Sequence, residues 1–212
     1  MAIRPLLPPK APALPFAPVQ YAQKYQDDFA NILRLYFGTL DNCITQLSNG
    51  TGSGTTLPYG AFQDSTDQTA ANTTTAYAVA FNTTDFSNGV TLSNTSRLNV
   101  TNPGLYNLQF SLQFKNTDNA EHDVDVWFRK NGTNIDNSNS RFFLPARKSS
   151  GDPSHLIAAL NFFVDVAAND YIQIMWRPSN VAVSLEHYGT STTPDRPAIP
   201  SAIATLSFVS AI

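Results

Sequence analysis

Leu105-Tyr-Asn-Leu-Gln-Phe-Ser-Leu-Gln-Phe-Lys115 is the stretch on which the fold of this chain turns. Tyr106, Leu108, Phe110, Leu112 and Phe114 alternate with Asn107, Gln109, Ser111 and Gln113. An extended backbone puts the first set on one face and the second on the other, whereas a helix would scatter both around its circumference. Val124, Val126 and Phe128 alternate in the same way with Asp123, Asp125 and Trp127. Ile172, Ile174 and Trp176 alternate with Gln173, Met175 and Arg177, and Val181, Val183 and Leu185 follow. Leu156 to Val166 is apolar on both faces, which predicts a central strand also covered outside, for example by a neighbouring subunit. Turn residues punctuate these runs at Asn88-Gly89, Asn102-Pro-Gly104, Asn131-Gly132, Gly151-Asp-Pro153, Asn169-Asp170 and Pro178-Ser-Asn180. Seven to ten strands at such spacing predict an all-β fold, an antiparallel jelly-roll sandwich over residues 57–212.

Upstream the period changes. Residues 1–18 hold six prolines, at 5, 8, 9, 12, 15 and 18, with Leu6, Leu7, Leu14 and Phe16 between them. Proline fixes φ and removes backbone donors, so an extended apolar arm is expected, suited to a groove on a partner. From Val19 to Ser48 there is no proline, and Phe29, Leu33, Tyr36, Leu40, Cys43 and Leu47 recur at spacings of 4, 3, 4, 3 and 4. That is the heptad pattern of a seam between helices. Ile32, Phe37 and Ile44 widen the seam beyond a two-helix contact, which suits a trimeric stalk or docking on another surface. These six seam residues are the candidate trimer and anchor contacts. Residues 49–56, with Gly50, Gly52 and Gly54, read as a hinge between helix and head.

Composition narrows the chemistry. Of 212 residues 42% are hydrophobic, enough for a core, while charged residues are 14% against about 25% in ordinary domains. Neutral Asn, Thr, Ser and Gln carry the polarity instead, as suits a stable exposed assembly. A net charge of −3 offers no basic field for nucleic acid. Cys43 is the only cysteine, so no intrachain disulfide can form. The N-terminal prolines interrupt any signal-like apolar helix, and Asn161 and Asp165 interrupt the longest apolar stretch, so neither a signal peptide nor membrane insertion is expected. Synthesis in a cytoplasm is the simpler expectation.

Catalysis finds little footing. There is no Gly-x-Ser-x-Gly elbow and no phosphate-binding glycine loop, and His122, His155 and His187 fall on separate strands or turns. Asp123 and Asp125 share a strand face and read as solvated positions rather than a cation site. No enzyme, cofactor or metal is expected. Trp127, Arg129, Arg177 and Tyr188 form a candidate aromatic-and-arginine recognition patch for sugar or protein, with subunit contact as the competing use.

Two resemblances refine this reading. Gly104-Leu-Tyr-Asn-Leu-Gln-Phe-Ser-Leu-Gln-Phe114, Val126-Trp-Phe-Arg-Lys-Asn-Gly132, Val164-Asp-Val-Ala-Ala-Asn-Asp-Tyr-Ile-Gln-Ile174 and Ala204-Thr-Leu-Ser-Phe208 resemble strands of tumour-necrosis-factor-like jelly rolls, especially the globular heads of complement subcomponents. Phe81 and Phe86 stand where that family has upstream aromatics; Leu108 departs from its pattern, and no collagen repeat precedes the head. The resemblance implies a tight trimer that binds through exposed loops or subunit clefts. Residues 14–42, from Leu14-Pro-Phe-Ala-Pro-Val through the Tyr-rich helix to Leu40-Asp-Asn42, are similar to the leader of marine and freshwater bacteriophage virion proteins. That likeness implies a virion component made in the host cytoplasm, with an N-terminal dock on other virion proteins and an exposed head. Two uses stay open: a tail fibre or receptor-binding module contacting a host saccharide or protein, or a capsid decoration or head-fibre protein. A surface-glycan-degrading enzyme is a third class without a positive feature.

Overall fold

The computed structural model describes residues 10–16, 18–48 and 57–211, with the side chains of 46–48 excepted. Residues 1–9 of the expected arm, the 49–56 hinge and the Leu47 side chain therefore lie outside the described residues. The chain divides into two compact units, Ala2–Leu57 and Pro58–Ile212.

The first unit is built on one helix, α1 (Gln23–Ser48). It begins four residues later than the expected Val19: Val19 and Gln20 form a bend after Pro18, and Tyr21-Ala22 lead into the first turn without a Ser, Thr, Asp or Asn cap. Phe29, Leu33, Tyr36, Leu40 and Cys43 are half-buried, while Leu35, Phe37 and Ile44 stand exposed. Residues 10–16 adopt no regular structure and double back beside the helix. Tyr25 donates its hydroxyl to the Pro15 carbonyl at 3.3 Å, and Lys10 and Pro12 face Ile32, Leu35, Tyr36 and Thr39 across a groove of about 270 Å³.

The second unit is an antiparallel β-sandwich. In chain order its strands are β1 (Tyr59–Asp64), β2 (Gln68–Thr69), β3 (Tyr77–Ala78), β4 (Thr83–Asn88), β5 (Val90–Ser93), β6 (Arg97–Val100), β7 (Gly104–Asn116) and β8 (His122–Lys130). They continue with β9 (Thr133–Asn134), β10 (Ser140–Leu144), β11 (Ser154–Val166), β12 (Tyr171–Pro178), β13 (Val183–Leu185), β14 (Ser191–Thr192), β15 (Asp195–Arg196) and β16 (Ala202–Ser210). The number exceeds the expected seven to ten because six of these are rungs of only two or three residues, too short to leave a periodic trace.

One sheet runs β2-β13-β7-β16-β1-β4, with β11 along the opposite side of β7; the other runs β10-β8-β12-β6-β5, with β3 and β9 attached. The alternation along β7 holds throughout: Tyr106, Leu108, Phe110, Leu112 and Phe114 are all buried. They close the core against the facing sheet, where the Phe110 and Phe128 rings lie 5.8 Å apart and Phe114 and Trp176 lie 5.7 Å apart. Gly104 opens β7 because β16 passes close by: a Cβ there would collide with the Phe208 ring and the Ser210 carbonyl. Phe81 is buried, whereas Phe86 is exposed and does not join the core.

β11 corrects the sequence reading. It pairs along all thirteen residues with β7, from Ser154–Asn116 to Val166–Gly104, and with no other strand among the described residues, so there it is an edge and not a central strand. Its two-faced hydrophobicity has a different origin. One face enters the core through Ala158, Val164 and Val166, and the other leaves Ile157 and Phe163 exposed at 61% and 54%.

Candidate recognition site

Trp127, Arg129 and Arg177 come from β8 and β12, which are adjacent and paired Gln173–Arg129, Met175–Trp127 and Arg177–Asp125. Alternation decides their direction: Val126, Phe128, Ile174 and Trp176 fill the core, so the intervening residues face outward. Register then builds a charged row across three strands. Arg141 of β10 and Arg177 of β12 both flank Asp125 of β8. Arg141 Nε donates to Asp125 Oδ1 at 2.9 Å, and the Arg177 guanidinium donates to Oδ2 at 3.0 Å. Burial alone would raise the Asp125 pKa, but the hydrogen bonds and charges of the two arginines outweigh it and hold the carboxyl below its usual range. Asp125 is thus already matched by two cations, an arrangement that takes the place a metal ion would need.

Next to this row the β8–β10 hairpin departs from regular pairing. Asn131-Gly132 makes the expected tight turn, both residues having positive φ (52° and 84°). β9 pairs for two residues, and the Ile135 amide donates to the Phe128 carbonyl at 2.9 Å. Pairing resumes only at Ser140–Val126, so Asp136-Asn-Ser-Asn139 bulges away opposite Trp127. Buried Ser138 pins the excursion, its hydroxyl accepting from the Phe128 amide at 3.1 Å and donating to the Ile135 carbonyl at 2.7 Å. Asn134 Oδ1 accepts from both Trp127 Nε1 at 2.8 Å and Arg129 Nε at 2.7 Å, which fixes the indole and leaves the amide nitrogen as a donor. The result is a cleft of about 330 Å³ lined by Asp125, Trp127, Asn134, Ile135, Asp136, Asn137, Asn139 and Arg177.

Comparison with protein-family models and with curated proteins finds no match to this chain.

Of the four residues of the expected patch, Trp127 and Arg177 line the cleft and Arg129 joins it through Asn134. Tyr188 does not. Its hydroxyl meets His155 Nε2 of β11 at 2.8 Å, and that nitrogen lies 3.0 Å from Glu186 Oε2. Glu186 Oε1 accepts from Lys115 Nζ of β7 at 2.7 Å. Burial, reinforced by Glu186, pushes the Tyr188 hydroxyl up to about 12. Burial opposes ionisation of Glu186, yet the Lys115 and Tyr188 hydrogen bonds keep its carboxyl below the usual range. This cluster ties the end of β11 to β7 and to the segment after β13. Alternation says that Tyr188 is polar-facing but not which sheet it joins.

Sequence reasoning also missed the Asn134–Asn139 wall. Its signal was present as a polar run, Asn134-Ile-Asp-Asn-Ser-Asn139, that follows a tight hairpin turn without strand alternation.

Proposed function

We propose that the chain is a homotrimeric structural subunit of a bacteriophage particle, attached through residues 1–48 to other particle proteins and presenting its β-sandwich as a receptor-binding head, as in a tail fibre. The observation that carries this reading is the outward face of β11, β7 and β16. Between Lys115 and His155 at one end and Asp165 at the other, its outward positions bear no charge, and Ile157, Phe163, Ile203 and Val209 stand exposed among Asn, Gln, Ser and Thr. Charged residues are depleted at the centres of protein interfaces, and an open edge strand with apolar side chains invites cover. A second and third copy of the chain provide that cover.

Strand order supports the jelly-roll reading. Taking β1, β6, β7, β8, β10, β11, β12 and β16 as eight principal strands, one sheet holds the first, eighth, third and sixth, and the other holds the second, seventh, fourth and fifth. The helix contributes Leu35, Phe37 and Ile44 as exposed apolar residues for docking or coiling. The particle assignment is supported by the likeness of residues 14–42 to phage virion leaders. Electron microscopy of intact particles labelled with an antibody against the chain tests it. Label at the tail is the expected result; label spread over the shell would replace the fibre reading with capsid decoration, and no label on particles would overturn both.

A further inference from the structure

We propose that the cleft between β8, β12 and the 136–139 excursion binds one neutral pyranose unit of a cell-surface glycan, an assignment that rests on the receptor-binding reading and supplies its ligand class. The wall combines an indole with a ring of hydroxyl partners. Trp127 offers an apolar surface for pyranose C–H groups, held in place because Nε1 is bonded to Asn134. Asp136, Asn137 and Asn139 are exposed, and no side-chain hydrogen bond among the described residues engages them. Carboxylate and amide side chains each accept or donate two hydrogen bonds, which matches vicinal hydroxyls.

Charge selects a neutral sugar. Arg177, the cation lining the cleft, is already paired with Asp125, and Asp136 adds a negative charge. An anionic saccharide would meet that carboxylate directly, whereas Arg177 is ion-paired and Arg129 stands behind the lining, its Nε bonded to Asn134. Size limits the ligand, since about 330 Å³ lies at the low end of the roughly 300–1,000 Å³ typical of small-molecule sites. The cleft also stands ready before binding: Ser138 anchors the excursion from its middle, so little ordering remains to be done.

Intrinsic fluorescence gives a direct test, because the chain has two tryptophans and Trp176 is buried in the core while Trp127 lines the cleft. The full chain would be titrated with the methyl glycosides of glucose, galactose, mannose and N-acetylglucosamine, and with N-acetylneuraminic acid. A saturable change with at least one neutral glycoside is expected. The Asp136→Ala/Asn139→Ala double variant, altered only at exposed positions, should bind that glycoside about tenfold or more weakly with an unchanged circular-dichroism melt. No saturable change with any neutral glycoside, a response to N-acetylneuraminic acid alone, or a double variant that titrates like the parent would overturn the proposal. The particle labelling fails separately: tail label without glycoside binding removes the cleft assignment and leaves the fibre, and glycoside binding with shell label does the reverse.

Discussion

Tyr106 sits wholly inside the sandwich with its hydroxyl donated to the Asn102 carbonyl at 2.9 Å, and burial pushes its pKa up to about 12. A phenol with that folded value, against about 10 when unfolded, holds its proton more tightly in the native state. Its contribution is complete below pH ~10 and is lost as pH rises towards 12. Urea unfolding across that window should show stability falling with pH, and Tyr106→Phe should flatten the fall. The same variant should cost about 1 kcal/mol at neutral pH through the lost hydrogen bond; an unchanged midpoint would show the bond to be idle. Tyr106 itself was legible from the alternation of residues 105–115, which assigns it to the apolar face. Its hydroxyl's partner was not, because a hydrogen bond to a backbone carbonyl four residues upstream leaves no mark in residue type. The candidate recognition residues divide in the same way. Trp127 and Arg177 share a strand face with neighbours that register makes predictable, whereas Tyr188 needed knowledge of which strand lies across from it.

At the scale of elements, α1 and β11 show what periodicity carries and what it omits. The helix keeps its seam residues Phe29, Leu33, Tyr36, Leu40 and Cys43 half-buried, but no capping residue in Val19-Gln-Tyr-Ala22 marks where its first turn falls. Gly38 is its one internal weakness: the residue is exposed and an added Cβ would meet nothing within 4 Å. Gly38→Ala should therefore stabilise the helix by about 1 kcal/mol, seen as a later loss of helical circular dichroism on heating. No shift would mean that something covers that face. β11 shows the converse. Apolar residues on both faces fit a central strand or an edge strand that meets another molecule, and composition alone cannot separate the two. Ile157→Lys with Phe163→Lys places two charges on the exposed face at positions the monomer does not bury. The fold should survive nearly unchanged, since such surface substitutions usually stay within about 0.5 kcal/mol. Self-association should be lost, and a double variant eluting at the parent's volume would show that this face is not the contact.

For the whole molecule, a helical unit and a β-sandwich unit of very different composition are joined in one chain, and each leaves apolar surface exposed. Helical spacing marked the helix and alternation the head, so the change from one to the other was legible from local pattern. Sheet order, the edge position of β11 and the cleft beside Trp127 arise from pairings between distant segments, such as β7 with β16 and β8 with β12, which local pattern does not encode. Assembly is the claim on which the functional account depends, because a lone chain would leave the uncharged β11, β7 and β16 face in water. Sedimentation equilibrium of the full chain at micromolar concentration reads the assembly state. A particle of three 23.1 kDa chains, insensitive to dilution over that range, is expected; a monomer or dimer throughout would rule the trimer out.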